Sequence, residues 1–175
     1  MAVFYLDASA VLKRYRTEKG TDVIDALYES VKRPRELMDA IRESLAGGRK
    51  LVTSHFTCLE VESVAARTLK GKSVIDFEYS TLLGSFAQDL RDYVRLEPFG
   101  GELLNYAIEA TRRTRLRPAD SIQFASALHV RARDEKGEFV LVASDKELLK
   151  AAEGAGIKTL DPEAEGAMEA LGKMT

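Results

Sequence analysis

Two short apolar runs constrain this chain more than any other feature. Ala2-Val3-Phe4-Tyr5-Leu6 and Phe139-Val140-Leu141-Val142 contain no charged residue. Each is far shorter than the roughly 20 residues a helix needs to cross a bilayer. Their apolar character is continuous rather than alternating, which is the pattern of a strand buried on both faces. Such strands belong to parallel sheets, because the crossover helices of a parallel sheet cover both of its sides. Weaker strand signals stand at 51–54, 94–97 and 157–160. Helical patterns separate them, at 8–15, 21–31, 56–69, 102–113, 118–133, 146–153 and in the tail at 163–171. Ile75, Tyr79, Leu82, Phe86, Leu90 and Tyr93 repeat at steps of three and four and predict one more amphipathic helix, starting at Ser73 or Asp76. Strands alternating with helices predict a three-layer α/β/α fold around a central parallel sheet of about five strands. No linker or repeat interrupts residues 1–175, so a single domain is expected.

Composition then removes several function classes. The formal net charge is -2, so no global field draws the chain to nucleic acid or anionic lipid, and polyanion binding must rest on local clusters. A single cysteine, Cys58, excludes an internal disulfide, and only His55 and His129 are available as imidazoles. Zinc is therefore disfavoured, whereas a hard cation held by carboxylates fits what the chain has. The first residues lack a basic stretch followed by a long apolar one, and no membrane association is expected; the expected location is cytoplasmic.

Acids recur where an open α/β sheet binds its ligands, at the carboxyl ends of the strands. Asp7 follows the first apolar run and Asp145 follows the second, while Asp120 falls in the first turn of the helix begun by Pro118. Since the two most apolar runs are the best candidates for the middle of the sheet, Asp7 and Asp145 should face one crevice. Glu60 or Glu62, on the 56–69 helix, would complete the set, and spacing does not separate them. Every acid also has an ordinary structural reading. Asp7 suits a helix N-cap, Ser144 and Glu147 suit a capping box, Asp120 suits a helix dipole, and a helical Glu commonly points at water. His55, His129 and Cys58 read as structural residues.

Four stretches, taken in order, carry a resemblance. Tyr5-Leu6-Asp7-Ala8-Ser9-Ala10-Val11-Leu12-Lys13 resembles the opening of PIN-domain ribonucleases, and of their VapC-type toxins in particular. Thr57-Cys58-Leu59-Glu60-Val61-Glu62-Ser63-Val64-Ala65-Ala66-Arg67 resembles the acid-bearing helix of that family, with Glu60 at the acid position. Leu116-Arg117-Pro118-Ala119-Asp120-Ser121-Ile122-Gln123-Phe124-Ala125-Ser126-Ala127-Leu128 resembles its third motif. Val142-Ala143-Ser144-Asp145-Lys146-Glu147-Leu148, continuing through Gly156-Ile157-Lys158-Thr159-Leu160-Asp161-Pro162, resembles its last.

The resemblance implies a PIN-like fold and a metal-dependent endoribonuclease that hydrolyses phosphodiester bonds. It makes Asp7, Glu60, Asp120 and Asp145 the catalytic and metal-binding acids, with the Ser9 and Ser144 hydroxyls in support, Mg²⁺ or Mn²⁺ as cofactor and RNA as substrate. It also implies a place in a toxin–antitoxin pair, and hence a cognate antitoxin as partner, with a homodimer as a further candidate assembly. Lys13, Arg14 and Arg16 follow the first motif, and Arg112, Arg113, Arg115 and Arg117 precede the third, so Lys13, Arg14 and the latter four are candidate RNA phosphate contacts. The chain departs from the family in length. Residues 32–50, with the stripe Leu37, Met38, Ile41 and Leu45, read as an enlarged helical segment. Two other functions compete: a catalytically silent PIN-like RNA-binding or scaffolding module, and a housekeeping RNA-processing nuclease without antitoxin. A phosphotransferase with Asp7 as nucleophile is a weaker option, because Ser9 stands where that chemistry commonly has a second Asp.

Overall fold

The computed structural model describes residues 2–31, 49–68, 77–133 and 137–174. The strands are β1 (Ala2–Leu6), β2 (Lys50–Ser54), β3 (Val94–Glu97), β4 (Glu138–Val142) and β5 (Lys158–Leu160). The helices are α1 (Ala8–Lys13), α2 (Thr21–Glu29), α3 (His55–Thr68), α4 (Phe77–Asp92), α5 (Gly101–Thr114), α6 (Pro118–Arg133), α7 (Lys146–Gly154) and α8 (Ala167–Gly172). Apart from residues 49 and 50, the expected segment at 32–50 lies outside the described residues, as do Ser73, Ile75 and Asp76. Among the described residues, no helix is long and apolar enough to cross a membrane.

All five strands are parallel, in the order β3-β2-β1-β4-β5. The most apolar strand therefore sits in the centre, and β4 is its neighbour. Alternation along β1 builds both sides of the core. Phe4 and Leu6 face α2, α3, α4 and α8 through Ile24, Leu27, Val61, Phe86 and Leu171. Val3 and Tyr5 face α6 and α7 through Phe124, Val130, Leu148 and Ala152. Every residue of β1 is buried, and each large apolar side chain so placed stabilises the fold by about 1.5–3 kcal/mol. Edge strand β3 alternates instead, with Val94 buried and Arg95 exposed.

Register decides where the loops fall. Leu6 pairs with Val142, and Ser54 pairs with Glu97, so the carboxyl ends of the strands are level. The Asp7 amide then donates to the Val142 carbonyl at 3.1 Å, and the Ala143 amide donates to the Leu160 carbonyl at 3.2 Å. Both turns that follow the central strands open at the same edge. On the outer side, the Arg49 guanidinium donates to the Leu171 and Met174 carbonyls while stacking over the Phe4 ring. That one side chain fixes the end of α8 against the sheet.

Candidate active site

Asp7 is the N-cap of α1: its Oδ1 accepts the Ala10 amide at 2.8 Å and the Ser9 hydroxyl at 2.7 Å. Asp145 is the N-cap of α7, with Oδ1 accepting the Glu147 and Leu148 amides, both at 2.9 Å. The capping box expected from Ser144 and Glu147 is thus replaced by a cap from Asp145 itself, since Asp145, one residue later, occupies the extended position from which a side chain reaches the first amides. In both aspartates one oxygen carries the capping bonds. Capping and a second role at the crevice are therefore compatible within one carboxylate.

Ser9 joins the two turns. Its hydroxyl donates to Asp7 and accepts the Ser144 amide at 2.9 Å, so the β1–α1 and β4–α7 turns are held as one piece. The Ser144 hydroxyl is buried and makes no hydrogen bond of ordinary length, although it helps to hold the Glu163 carboxyl below its usual range, after Lys13.

Glu60 and Glu62, inseparable by spacing, part company in three dimensions. Glu60 is half-buried and accepts Gln123 Nε2 at 2.6 Å, whereas Glu62 is exposed and accepts the Tyr79 hydroxyl. Electrostatics links the acids in a series. Burial pushes Asp7 up to about 7, with the charge of Glu60 adding to it, against the opposing pull of the Ala10 amide and Ser9. Burial and then the charge of Asp120 raise Glu60, against the Gln123 bond. Burial and then Asp145 raise Asp120, against Arg117. Asp7 and Glu60, Glu60 and Asp120, and Asp120 and Asp145 are thus each within electrostatic reach of one another, pair by pair. Burial is the main cause of these rises and carboxylate repulsion a lesser one, and a nearby cation would offset both.

This donor set consists of oxygen alone, which suits Mg²⁺ or Mn²⁺ rather than zinc. Among the described residues, no three His, Cys, Asp or Glu side chains form a ready-made metal cage. The expected four-acid set fits a hard cation in its chemistry, without being gathered into one coordination shell.

The basic residues divide. Lys13 is buried, and its ammonium binds Glu163 at 2.6 Å and Glu18 at 3.1 Å; these bonds outweigh the opposing effect of burial and raise its pKa. Arg14 is engaged by Asp25 at 2.6 Å and by the buried Asp89, and it also stacks on Tyr28. The structure pairs both of these cations with acids of the scaffold. Arg112 and Arg113 are exposed and pair with Glu109. Arg115 and Arg117 are exposed in the α5–α6 turn, where Arg115 adopts a left-handed conformation (φ 60°) and Arg117 acts on Asp120.

Sequence reasoning does not mark out Gln123, Thr53 and Thr57, all buried polar residues beside Glu60. A signal is there: Gln123 lies three residues after Asp120, on the same face of a helix that is otherwise apolar.

A parallel α/β sheet with acids at the carboxyl ends of its strands is a ligand-binding architecture with an acidic crevice. The chain belongs to the PIN-domain family, whose model matches residues 4–154. PIN domains are in general nucleases, and as nucleases they generally use divalent metal ions. No curated protein matches the chain. Among solved structures, the fold is similar to a chain of VapBC2 from Rickettsia felis bound to a DNA fragment from their promoter, at 11% identity and a TM-score of 0.53, covering 90% of this chain and 96% of that one. PAE2754 from Pyrobaculum aerophilum is similar at 17% identity and a TM-score of 0.55, covering 98% of each chain. FitAcB from Neisseria gonorrhoeae is similar at 14% identity and a TM-score of 0.52, covering 91% of this chain and 97% of that one.

Proposed function

We propose that this chain is a divalent-metal-dependent endoribonuclease of the cytoplasm, acting as one domain and as the toxin of a toxin–antitoxin pair. The observation that carries the reading is the series Asp7, Glu60, Asp120 and Asp145, electrostatically linked at the carboxyl edge of a PIN-family sheet. These four residues would hold Mg²⁺ or Mn²⁺. When bound, such an ion supplies an activated water and Lewis-acid stabilisation of charge on the phosphate oxygens.

The chain's own residues do the rest. Ser9 and the two helix caps orient Asp7 and Asp145, so the carboxylates need no reorganisation as substrate enters. Ser144, at the same turn, supports Ser9 through its amide. Arg115 and Arg117, with Arg112 and Arg113 behind them on α5, offset the acidic crevice and contact phosphates. A single-stranded or looped RNA bends into such a crevice more readily than a duplex. Two of the similar structures are of toxin–antitoxin complexes, VapBC2 and FitAcB, which supports an antitoxin partner here.

The test is cleavage of total RNA by the purified protein with Mg²⁺ or Mn²⁺, with EDTA, and after Glu60→Gln or Asp120→Asn. Cleavage is expected only in the wild type with metal. Undiminished cleavage in EDTA would remove the metal from the reading, and undiminished cleavage by both variants would move the active site elsewhere.

A further inference from the structure

Glu60 lies on α3, while Asp7 and Asp145 are tied to the turns after β1 and β4. No helix cap holds its longer side chain, so another device must aim it. Gln123 of α6 is 2% exposed and reaches across to it.

Glu60 sets which way the amide of Gln123 points, because an ionised carboxylate only accepts and must face Nε2. The Tyr5 phenol has one proton and donates it to Gln123 Oε1 at 2.6 Å. The amide oxygen therefore faces Tyr5, and its two N–H groups donate to Thr57 Oγ1 at 2.9 Å and to Glu60 Oε2 at 2.6 Å. The Thr53 hydroxyl spends its only proton on the Leu6 carbonyl at 2.6 Å. Thr57, 2.8 Å from Thr53, must then supply the proton between the two hydroxyls, which leaves its own oxygen free to accept from Gln123. Every bond in this buried relay runs one way. Turning the amide over would set its oxygen against the Glu60 carboxylate and lose the bond that holds Oε2.

We propose that Gln123 is a positioning residue for Glu60: its buried amide, held by Tyr5 and Thr57, binds Glu60 Oε2, so that Oε1 is the oxygen that would be offered to a metal. This rests on the reading of the site as metal-binding. Among the described residues, Oε1 takes no hydrogen bond. Gln123 does for Glu60 what the helix amides do for Asp7 and Asp145. It commits one oxygen to the scaffold, which removes side-chain freedom that ion binding would otherwise have to freeze.

Calorimetric titration of Mn²⁺ into metal-free protein tests this with wild type, Glu60→Gln, Gln123→Met and the double variant. Methionine keeps the length and unbranched shape of glutamine while removing both donors. Gln123→Met is expected to weaken Mn²⁺ binding about tenfold or more, the usual effect of losing a partner that orients a ligand. In the Glu60→Gln background the same change should have no further effect, a coupling that mere loosening of the fold would not produce. Unchanged affinity in Gln123→Met, or an equal loss with and without Glu60→Gln, would overturn the positioning role. If Gln123→Met does not fold, Tyr5→Phe removes a bond that holds the amide and should weaken Mn²⁺ binding severalfold; unchanged binding there overturns the proposal as well. Wild-type affinity in Glu60→Gln is a different result, overturning the metal-site reading and the role of Gln123 together. Weakened Glu60→Gln beside unchanged Gln123→Met overturns the positioning role alone.

Discussion

At Asp7 one carboxylate caps α1, lies buried, and faces the charge of Glu60. Its folded-state pKa of about 7 stands above the ordinary value of 3.8, so over that interval the folded protein holds this proton more tightly than the unfolded chain does. The stability that protonation contributes is complete below 3.8 and is lost as pH rises through about 7, on the order of a few kcal/mol. Asp7→Asn removes the charge but not the cap, because both local bonds fall on Oδ1, which asparagine retains. In EDTA, the variant should gain stability over wild type at pH 8 and gain much less at pH 5, measured by urea unfolding. A difference independent of pH would show that Asp7 is not the group responsible. With excess Mn²⁺ the wild type should recover by mass action, and the variant much less. The positions of Asp7 and Asp145 are legible in sequence because an acid within three residues after an apolar run is a local pattern. Glu60 needs the third dimension, since the choice over Glu62 depends on which face of α3 meets Gln123. Lys13 and Arg14 escape a sequence reading for the same reason: their partners Glu163 and Asp89 are remote in the chain.

Elements are easier to read than side-chain directions. Short apolar runs and period-3.6 patterns act over a few neighbours, so strands β1 to β5 fall within a residue or so of expectation, and α8 starts later, at Ala167, behind Gly166 in a left-handed conformation (φ 77°). What the sequence does not disclose is how the elements lock together. Gly20 precedes α2 with a φ of 85°, and a Cβ there would lie 2.6 Å from the Pro162 carbonyl oxygen. Glycine at this point lets α2 close against the segment after β5, which carries Glu163 to Lys13. Gly20→Ala should cost about 2 kcal/mol or more, from left-handed strain plus a clash with backbone that cannot swing aside. Gly84→Ala, inside α4 with nothing near the new methyl, should instead stabilise by about 0.5–1 kcal/mol. Thermal melting of both variants decides it. Equal shifts would mean that the backbone at Pro162 yields and does not lock α2.

Over the whole molecule, a net charge of -2 and an acidic crevice both oppose RNA, so binding depends on where the cations sit. Lys13 and Arg14 are paired with Glu18, Glu163, Asp25 and Asp89, and the α5–α6 corner is one cationic approach to the site among the described residues. Arg117 already acts on Asp120, and Arg115 precedes it by two residues in the same turn. Replacing both by glutamine should weaken binding of a single-stranded RNA and lower the slope of log affinity against log salt by about 0.7 for each phosphate no longer neutralised. The comparison belongs in the Asp7→Asn background, where RNA is expected to stay intact during titration. Arg112 and Arg113, one turn back, pair with Glu109 in water, and such exposed pairs are weak, so their joint replacement should act in the same direction. If the Arg115 and Arg117 change leaves the salt slope unaltered while the protein melts as before, RNA does not enter by this corner.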